Sequence, residues 1–343
     1  MASPSIVADL RARRTPAIAR AISLVENARP GFEELLSSIH KSLGHARRIG
    51  ITGPPGAGKS TLTERLVQAF REQGLTVAVV AVDPTSPFTG GALLGDRIRM
   101  ESVALDPGVF IRSMATRGSL GGLATTTGEV CDVLDAGGFD RILVETVGVG
   151  QSELDVARTT DSTVLVLVPE SGDGIQTLKS GIMEIGDIFV VNKADRPGAD
   201  RLRQEIEITL GIRSGQALRH MKAHHGGMTI EPPSRRAAEP AAWKHPVLAT
   251  IAPKGEGVIE LVAALERHHE SLTATGELGE RRRRRLYQRT RAVAERATRQ
   301  WVWQETGAEQ VIRERLDDVA AGRLSPYEVA AEVLDGLKQG SRL

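Results

Sequence analysis

The chain has 343 residues, enough for one large α/β domain with extensions or for two small domains. Hydrophobic residues make up 41% and charged residues 25%, as in ordinary globular proteins, and a net charge of +1 gives no overall field toward nucleic acid or an anionic membrane. At 3% aromatic the chain offers no base-stacking surface, and its one cysteine, Cys131, excludes an internal disulfide and a CxxC metal site.

No apolar run approaches the ~18 residues that a membrane helix needs. The first 27 residues are Arg-rich and lack the apolar core of a secretory signal. Asp9 and Glu26 interrupt them, while Leu10, Ile18, Ile22 and Val25 fall near helical spacing. This pattern predicts a folded helix in a cytoplasmic protein rather than a transit peptide. Residues 5–45 read as two or three helices, broken at "NARPG" (27–31).

Seven short, β-branched, apolar runs then follow: 46–52, 76–83, 109–113, 141–146, 162–168, 187–193 and 245–251. Strands that are apolar throughout are buried on both faces, which predicts a mainly parallel sheet. Helical stretches at 59–73, 119–136, 151–158, 174–185, 200–213 and 257–271 separate them, the alternation of a doubly wound α/β domain. Between 214 and 244 the pattern lapses into Gly- and Pro-containing sequence, an insertion or long excursion. Beyond 271 the chain reads as helical to its end. A long amphipathic helix is expected at 281–306, with Leu286, Val293, Ala297, Trp301 and Val302 on its apolar side, then a helical hairpin at 309–321 and 326–338. Its opening "RRRRR" (281–285) spreads charge around the helix, so a solvated or dimer-contacting helix start is expected rather than a nucleic-acid stripe.

The chemistry begins at "GPPGAGKS" (53–60), which fits G-x-x-x-x-G-K-[ST] between a buried strand and a helix. Gly53, Pro54, Pro55, Gly56, Ala57 and Gly58 form a loop whose glycines let backbone N–H groups turn onto phosphate oxygens. Lys59 can reach the β- and γ-phosphates, the Ser60 hydroxyl suits Mg²⁺, and the helix running on through Thr61 adds its N-terminal dipole. "VVNKAD" (190–195) ends a later strand. There a carboxylate at Asp195 can accept both N1–H and N2–H₂ of guanine, a donor pair adenine lacks. Asn192 would brace that loop, and the stem of Lys193 can lie over the base.

Asp83 and Glu145 close two strands at the same sheet edge, where an open α/β sheet puts its ligands. Either can hold Mg²⁺ directly or through its water shell. "ETVGVGQSE" (145–153) has the look of a switch loop, with Gly148 and Gly150 as its glycines. Val149 stands where a water-orienting glutamine would be, so intrinsic hydrolysis should be slow. Gln151 is the other candidate for that task, and Arg97, Arg99 and Arg117 are candidate charge stabilisers. Asp96, within "GGALLGDRIRM" (90–100), is the residue there best suited to approach the metal or its water.

These segments in this order, from "RAISLVEN" through "VAVDPTSPFTGGALLGDRIRM", "FIRSMATRGSLGGLA" and "GDGIQTLKSGIMEIGDIFVVNKAD" to "PVLATIAPKGEGVIEL", closely resemble the MeaB/ArgK/MMAA family. Members of that family are P-loop GTPases of the SIMIBI class that act as chaperones of adenosylcobalamin-dependent acyl-CoA mutases. The resemblance implies an N-terminal helical extension (1–45), a P-loop GTPase domain (46–271) and a C-terminal helical dimerisation extension (272–343). It implies GTP or GDP as ligand with Mg²⁺, and a role for Lys59, Asp96 and Glu145 in hydrolysis. Ser60, Asp83, Asp96 and Glu145 would form the metal network, and Asn192, Lys193 and Asp195 would take guanine. A second switch at 172–187 would carry Gln176 and Lys179 and couple nucleotide state to the mutase. Where the family usually has Ser-Ala after the last core strand, this chain has Ile251-Ala252-Pro253. A backbone contact from Ala252 to guanine survives that change, and a serine side-chain contact does not. The expected protein is thus a GTP-hydrolysing, homodimeric mutase chaperone with no nucleic-acid or membrane partner. A nickel-delivery GTPase, for which His220, His224 and His225 would be the ligands, and an amino-acid transport kinase of the LAO/AO type are the alternatives.

Overall fold

A computed structural model describes residues 4–83, 100–115, 123–146, 152–169, 182–213 and 243–338. Their contacts divide the chain into two compact units, Met1–Arg285 and Leu286–Leu343.

The first unit is built on seven parallel strands: β1 Arg47–Thr52, β2 Val77–Asp83, β3 Val109–Ala115, β4 Arg141–Thr146, β5 Ser162–Leu167, β6 Ile188–Asn192 and β7 Val247–Thr250. Their order across the sheet is β3-β2-β4-β1-β5-β6-β7. The chain therefore fills one side of β1 with β2, β3 and β4 and then the other with β5, β6 and β7, which makes the carboxyl end of β1 the switch point where such sheets place ligands. Within β1, β2 and β4 alternate residues serve opposite faces, as a two-residue period requires. Ile49, Ile51, Val77, Val79 and Leu143 pack with Leu62, Leu66 and Phe70 of helix α4 (Lys59–Glu72) and with Leu261 and Leu265 of α9 (Val258–Ala274). Ala78, Val80, Val82, Ile142 and Val144 pack on the other face, against α6 (Leu123–Ala136) and the N-terminal helices. Leu165, Phe189 and Val191 meet Leu202 and Ile206 of α8 (Ala199–Arg213).

The N-terminal helices are α1 (Pro4–Arg11), α2 (Thr15–Glu26) and α3 (Phe32–Ile39). Leu10, Ile18, Ile22, Val25, Leu35 and Ile39 all lie in the core with Val130, Leu134 and Phe139. The break at 27–31 is where the sequence put it, with Ala28 and Gly31 at φ +44° and +93°. A four-residue helix, α5 (Glu101–Ala104), precedes β3, and α7 (Ser152–Thr159) follows β4. Helix α7 presses onto β1 at Gly50, where a Cβ would stand 2.4 Å from Val156 Cγ1 and 2.9 Å from Thr160 Oγ1. Of the helix expected at 174–185, residues 182–184 form a short 3₁₀ turn, and the part up to 181 lies outside the described residues. The excursion expected at 214–244 lies almost wholly outside them.

At the opposite edge, where strands begin, charge is buried. Helix α10 runs Glu277–Gln300, beginning earlier than the expected 281. Arg283 and Arg284 of its arginine run are exposed, as a solvated start implies, but Arg281, Arg282 and Arg285 correct that expectation. Arg282 and Arg285 donate to the buried Asp161 carboxylate (2.9 and 2.8 Å), which also accepts from the Arg48 N–H. Arg281 forks onto Asp187 (3.0 and 2.9 Å), which also accepts from the Thr163 N–H. Spacings of one and four put the three on a common side of the helix, aimed at carboxylates that the sheet edge desolvates. Burial alone would raise the Asp161 pKa, but the Arg285 and Arg282 guanidinium groups hold the carboxyl well below the usual range. His268 of α9 lies fully buried beside them, sharing a hydrogen bond with Ser162 Oγ (2.8 Å) and packed at a tilt against the Trp243 ring. Cys131 is buried, a small apolar group in the core.

In the second unit α10 ends in a single π-helical turn, Trp301–Glu305, in place of the α-helix expected to 306. Helices α11 (Ala308–Ala320) and α12 (Pro326–Lys338) form the expected hairpin. A capping box closes the start of α12: Ser325 N donates to Glu328 (2.7 Å) and Glu328 N to Ser325 Oγ (3.2 Å). Arg315 forks onto Glu332 across the pair. Among the described residues no helix is long and apolar enough to cross a membrane.

Candidate nucleotide site

At Gly53 the chain leaves β1 with φ +141°, and a Cβ would fall 2.0 Å from the Val166 carbonyl oxygen. Gly58, at φ +82°, has Asn192 Nδ2 only 2.5 Å from where its Cβ would be. Both positions exclude any other residue on conformational and steric grounds. Pro54, Pro55 and Gly56 form the outer part of the loop, Ala57 is buried beneath it, and α4 begins at Lys59 with Thr61 in its first turn. The N-terminal dipole of that turn favours an anion at the switch point.

Lys59 is buried, and its ammonium donates to the carbonyls of Gly53 (2.8 Å) and Pro54 (3.0 Å), spanning the loop like a strut. Ser60 Oγ donates to Glu145 Oε1 at 2.6 Å. The pairing of Ile51 with Glu145 in the β1/β4 register sets Glu145 beside the end of β1. One residue on, the hydroxyls of Thr52 and Thr146 pair at 3.0 Å. A buried hydroxyl and carboxylate at this edge are hard oxygen donors, the type Mg²⁺ takes, so the residues present fit that ion. Asp83 closes β2, which pairs with β4. Asp96, Gly148, Val149, Gly150, Gln151, Gln176 and Lys179 lie outside the described residues, as do Arg97, Arg99, Arg117, His220, His224 and His225. Among the described residues no group of three or more His, Cys, Asp or Glu could hold a metal ion.

Asn192 joins the two halves of the site. Its Nδ2 donates to the Ala57 carbonyl (2.8 Å), and its Oδ1 accepts from Thr250 Oγ1 (3.0 Å) and the Ala252 N–H (3.2 Å). The Ala252 N–H is thus directed at Asn192 in this structure. Lys193 takes the left-handed conformation at φ +57°, and Ala194 N donates to Thr250 O (3.0 Å), which turns the exposed Asp195 out beyond the strand ends. Ile251 bridges back to Glu256, and Ala252–Lys254 form a 3₁₀ turn.

One contact was invisible to sequence reasoning. Arg65 of α4 donates from Nε to the Ala252 carbonyl (3.2 Å) and from Nη2 to that of Pro253 (2.5 Å). No motif links residues 187 positions apart, and an arginine on a helix otherwise reads as surface charge.

A phosphate loop at the switch point of an all-parallel sheet, with an asparagine-braced turn beside it, defines a P-loop GTPase. The family model described as "Methylmalonyl Co-A mutase-associated GTPase MeaB" matches residues 18–307, and the chain belongs to that family. It is 48% identical over 277 residues to a putative GTPase of Pyrococcus horikoshii, covering 81% of each chain. It is 35% identical over 308 residues to the mouse protein named methylmalonic aciduria type A homolog, mitochondrial, covering 85% of this chain and 65% of that one. Among solved structures, the LAO/AO transport system kinase superposes with a TM-score of 0.66 at 27% identity, over 97% of each chain.

Proposed function

We propose that this GTPase gates cofactor loading into, or protects, an adenosylcobalamin-dependent acyl-CoA mutase of the methylmalonyl-CoA mutase type. The observation that carries the reading is the mutase-associated family match, which runs through the GTPase core and on into α10. In this reading Lys59 exchanges the Gly53 and Pro54 carbonyls for the β- and γ-phosphate oxygens. Ser60 and Glu145, with Asp83 and Asp96, hold Mg²⁺, which when bound offsets the charge that develops on the phosphates. Asp195 takes the guanine donor pair, Lys193 lies over the base, and Asn192 keeps both at a fixed distance from the phosphate loop. Segments 145–153 and 172–187 act as switches. With Val149 in place of a water-orienting glutamine, the partner supplies or organises what hydrolysis lacks. The chain works as a cytoplasmic homodimer paired through its C-terminal helices.

The test is GTP turnover by the purified protein with and without its cognate mutase. The rate should rise at least tenfold with the mutase, and an unchanged rate defeats the coupling.

The likeness to a solved LAO/AO transport system kinase favours a second reading, phosphoryl transfer to an amino-acid transport component. Transfer of label from γ-labelled GTP to a periplasmic binding protein would establish it. Label found only in free phosphate would exclude it.

A further inference from the structure

We propose that Arg65 is a positioning residue for guanine recognition, fixing the 251–255 turn against the helix that carries the phosphate loop. The proposal rests on reading 192–195 and 252 as the base-binding edge.

Ala252 is buried in the core, but the turn supplies few polar groups of its own to hold it there. The side chains of Ile251, Ala252 and Pro253 carry no hydrogen-bonding group, and Pro253 has no N–H. Its internal bonds, Lys254 N to Ile251 O (2.9 Å) and Gly255 N to Ala252 O (3.1 Å), close the turn without docking it to anything. Beyond the burial of Ala252 in the core, polar docking comes from two outside groups that grip it at both ends. Asn192 Oδ1 accepts its N–H, and Arg65 Nε donates to its carbonyl. The guanidinium also reaches the Pro253 carbonyl from Nη2, and its Nη1 donates to Gln68 Oε1 (3.0 Å), which sets the plane of the fork. A planar group with five donors suits two successive carbonyls in a way that a lysine ammonium does not.

Arg65 contacts 252–253 and Gln68. It stands six residues beyond Lys59, roughly 9 Å along α4. Its loss should therefore be felt at the base and not at the phosphates. This separates its role from that of Asn192, which touches both the loop at Ala57 and the turn at Ala252.

The experiment is calorimetric titration of full-length wild type, R65A and R65K with GDP, with ADP, and with pyrophosphate, which carries the phosphates and no base. Wild type should prefer GDP to ADP. In R65A the GDP affinity should fall about tenfold while pyrophosphate affinity stays within twofold, so that the GDP advantage over ADP shrinks. R65K restores charge without the fork and should remain defective; it supplies the same comparison if R65A does not fold. Equal loss for GDP and pyrophosphate, or an unchanged GDP-to-ADP ratio in a guanine-selective parent, overturns the assignment of Arg65 alone. A wild type with no preference for GDP overturns the guanine reading itself, and this proposal with it.

Discussion

Asn192 has both ends of its amide committed inside the protein, to Ala57, Thr250 and Ala252. Truncating it strands a buried carbonyl, a hydroxyl and an N–H. Asn192→Ala should therefore cost about 2–4 kcal/mol of stability by chemical denaturation and weaken GDP binding at least a hundredfold by titration. Glu145 tests the metal end separately. Glu145→Gln keeps an acceptor for Ser60 and removes the charge. It should lower GTP hydrolysis about 10–100-fold and raise the Mg²⁺ concentration required, while leaving GDP binding in EDTA nearly unchanged. At this scale the sequence was informative wherever function is written as a contiguous string. Gly53, Lys59, Ser60 and Asn192 stand out because backbone geometry and phosphate chemistry demand them at fixed spacing. Arg65 does not, because its partners are carbonyls, which every residue has.

Among the elements, the start of α10 is the one whose packing departs most from expectation. Asp161 is desolvated and satisfied by two guanidinium groups and a backbone N–H. Breaking a buried pair by removing one partner typically costs about 3–5 kcal/mol. Asp161→Ala should show a loss of that order in urea, and Arg285→Ala, which leaves the Arg282 contact in place, a smaller one. The strands themselves were legible, since unbroken β-branched runs bounded by glycine and charge have one reading in a buried parallel sheet. Their order was not, since nothing local to β4 says that it inserts between β1 and β2. The arginine run misled because five like charges on a helix look hydrated until the carboxylates that receive them, more than 90 residues away, are located.

On the scale of the whole molecule, acid should destabilise the first unit. Burial holds the His268 pKa down at about 4, against an ordinary 6.5, with Arg281, His245 and His269 acting in the same direction and Asp187 opposing. Between those values the unfolded chain binds a proton that the folded chain refuses. Stability should thus be full above about pH 6.5 and fall as pH approaches 4. Asp161, held below its ordinary 3.8, adds to the loss only at still lower pH. Melting temperatures across that range should fall less steeply for His268→Gln than for wild type. The second unit leaves Leu286, Tyr287, Trp301 and Trp303 exposed, apolar surface that the proposed dimer would cover. Light scattering should give twice the 36.8 kDa chain mass, and Trp301→Glu should return it toward one. The division between units falls within a continuous helix, after Arg285. The seven-stranded sheet also keeps two kinds of chemistry a strand's length apart. Phosphate-loop and turn residues crowd one rim, and the Asp161 and Asp187 ion pairs line the other. Heritable damage should sort accordingly. Lesions at the ionic rim would lower how much protein accumulates while each surviving molecule turns over GTP normally, lesions at Lys59 or Glu145 would leave abundance intact and silence the molecules that remain, and lesions at Asn192, which braces the loop from within, would do both.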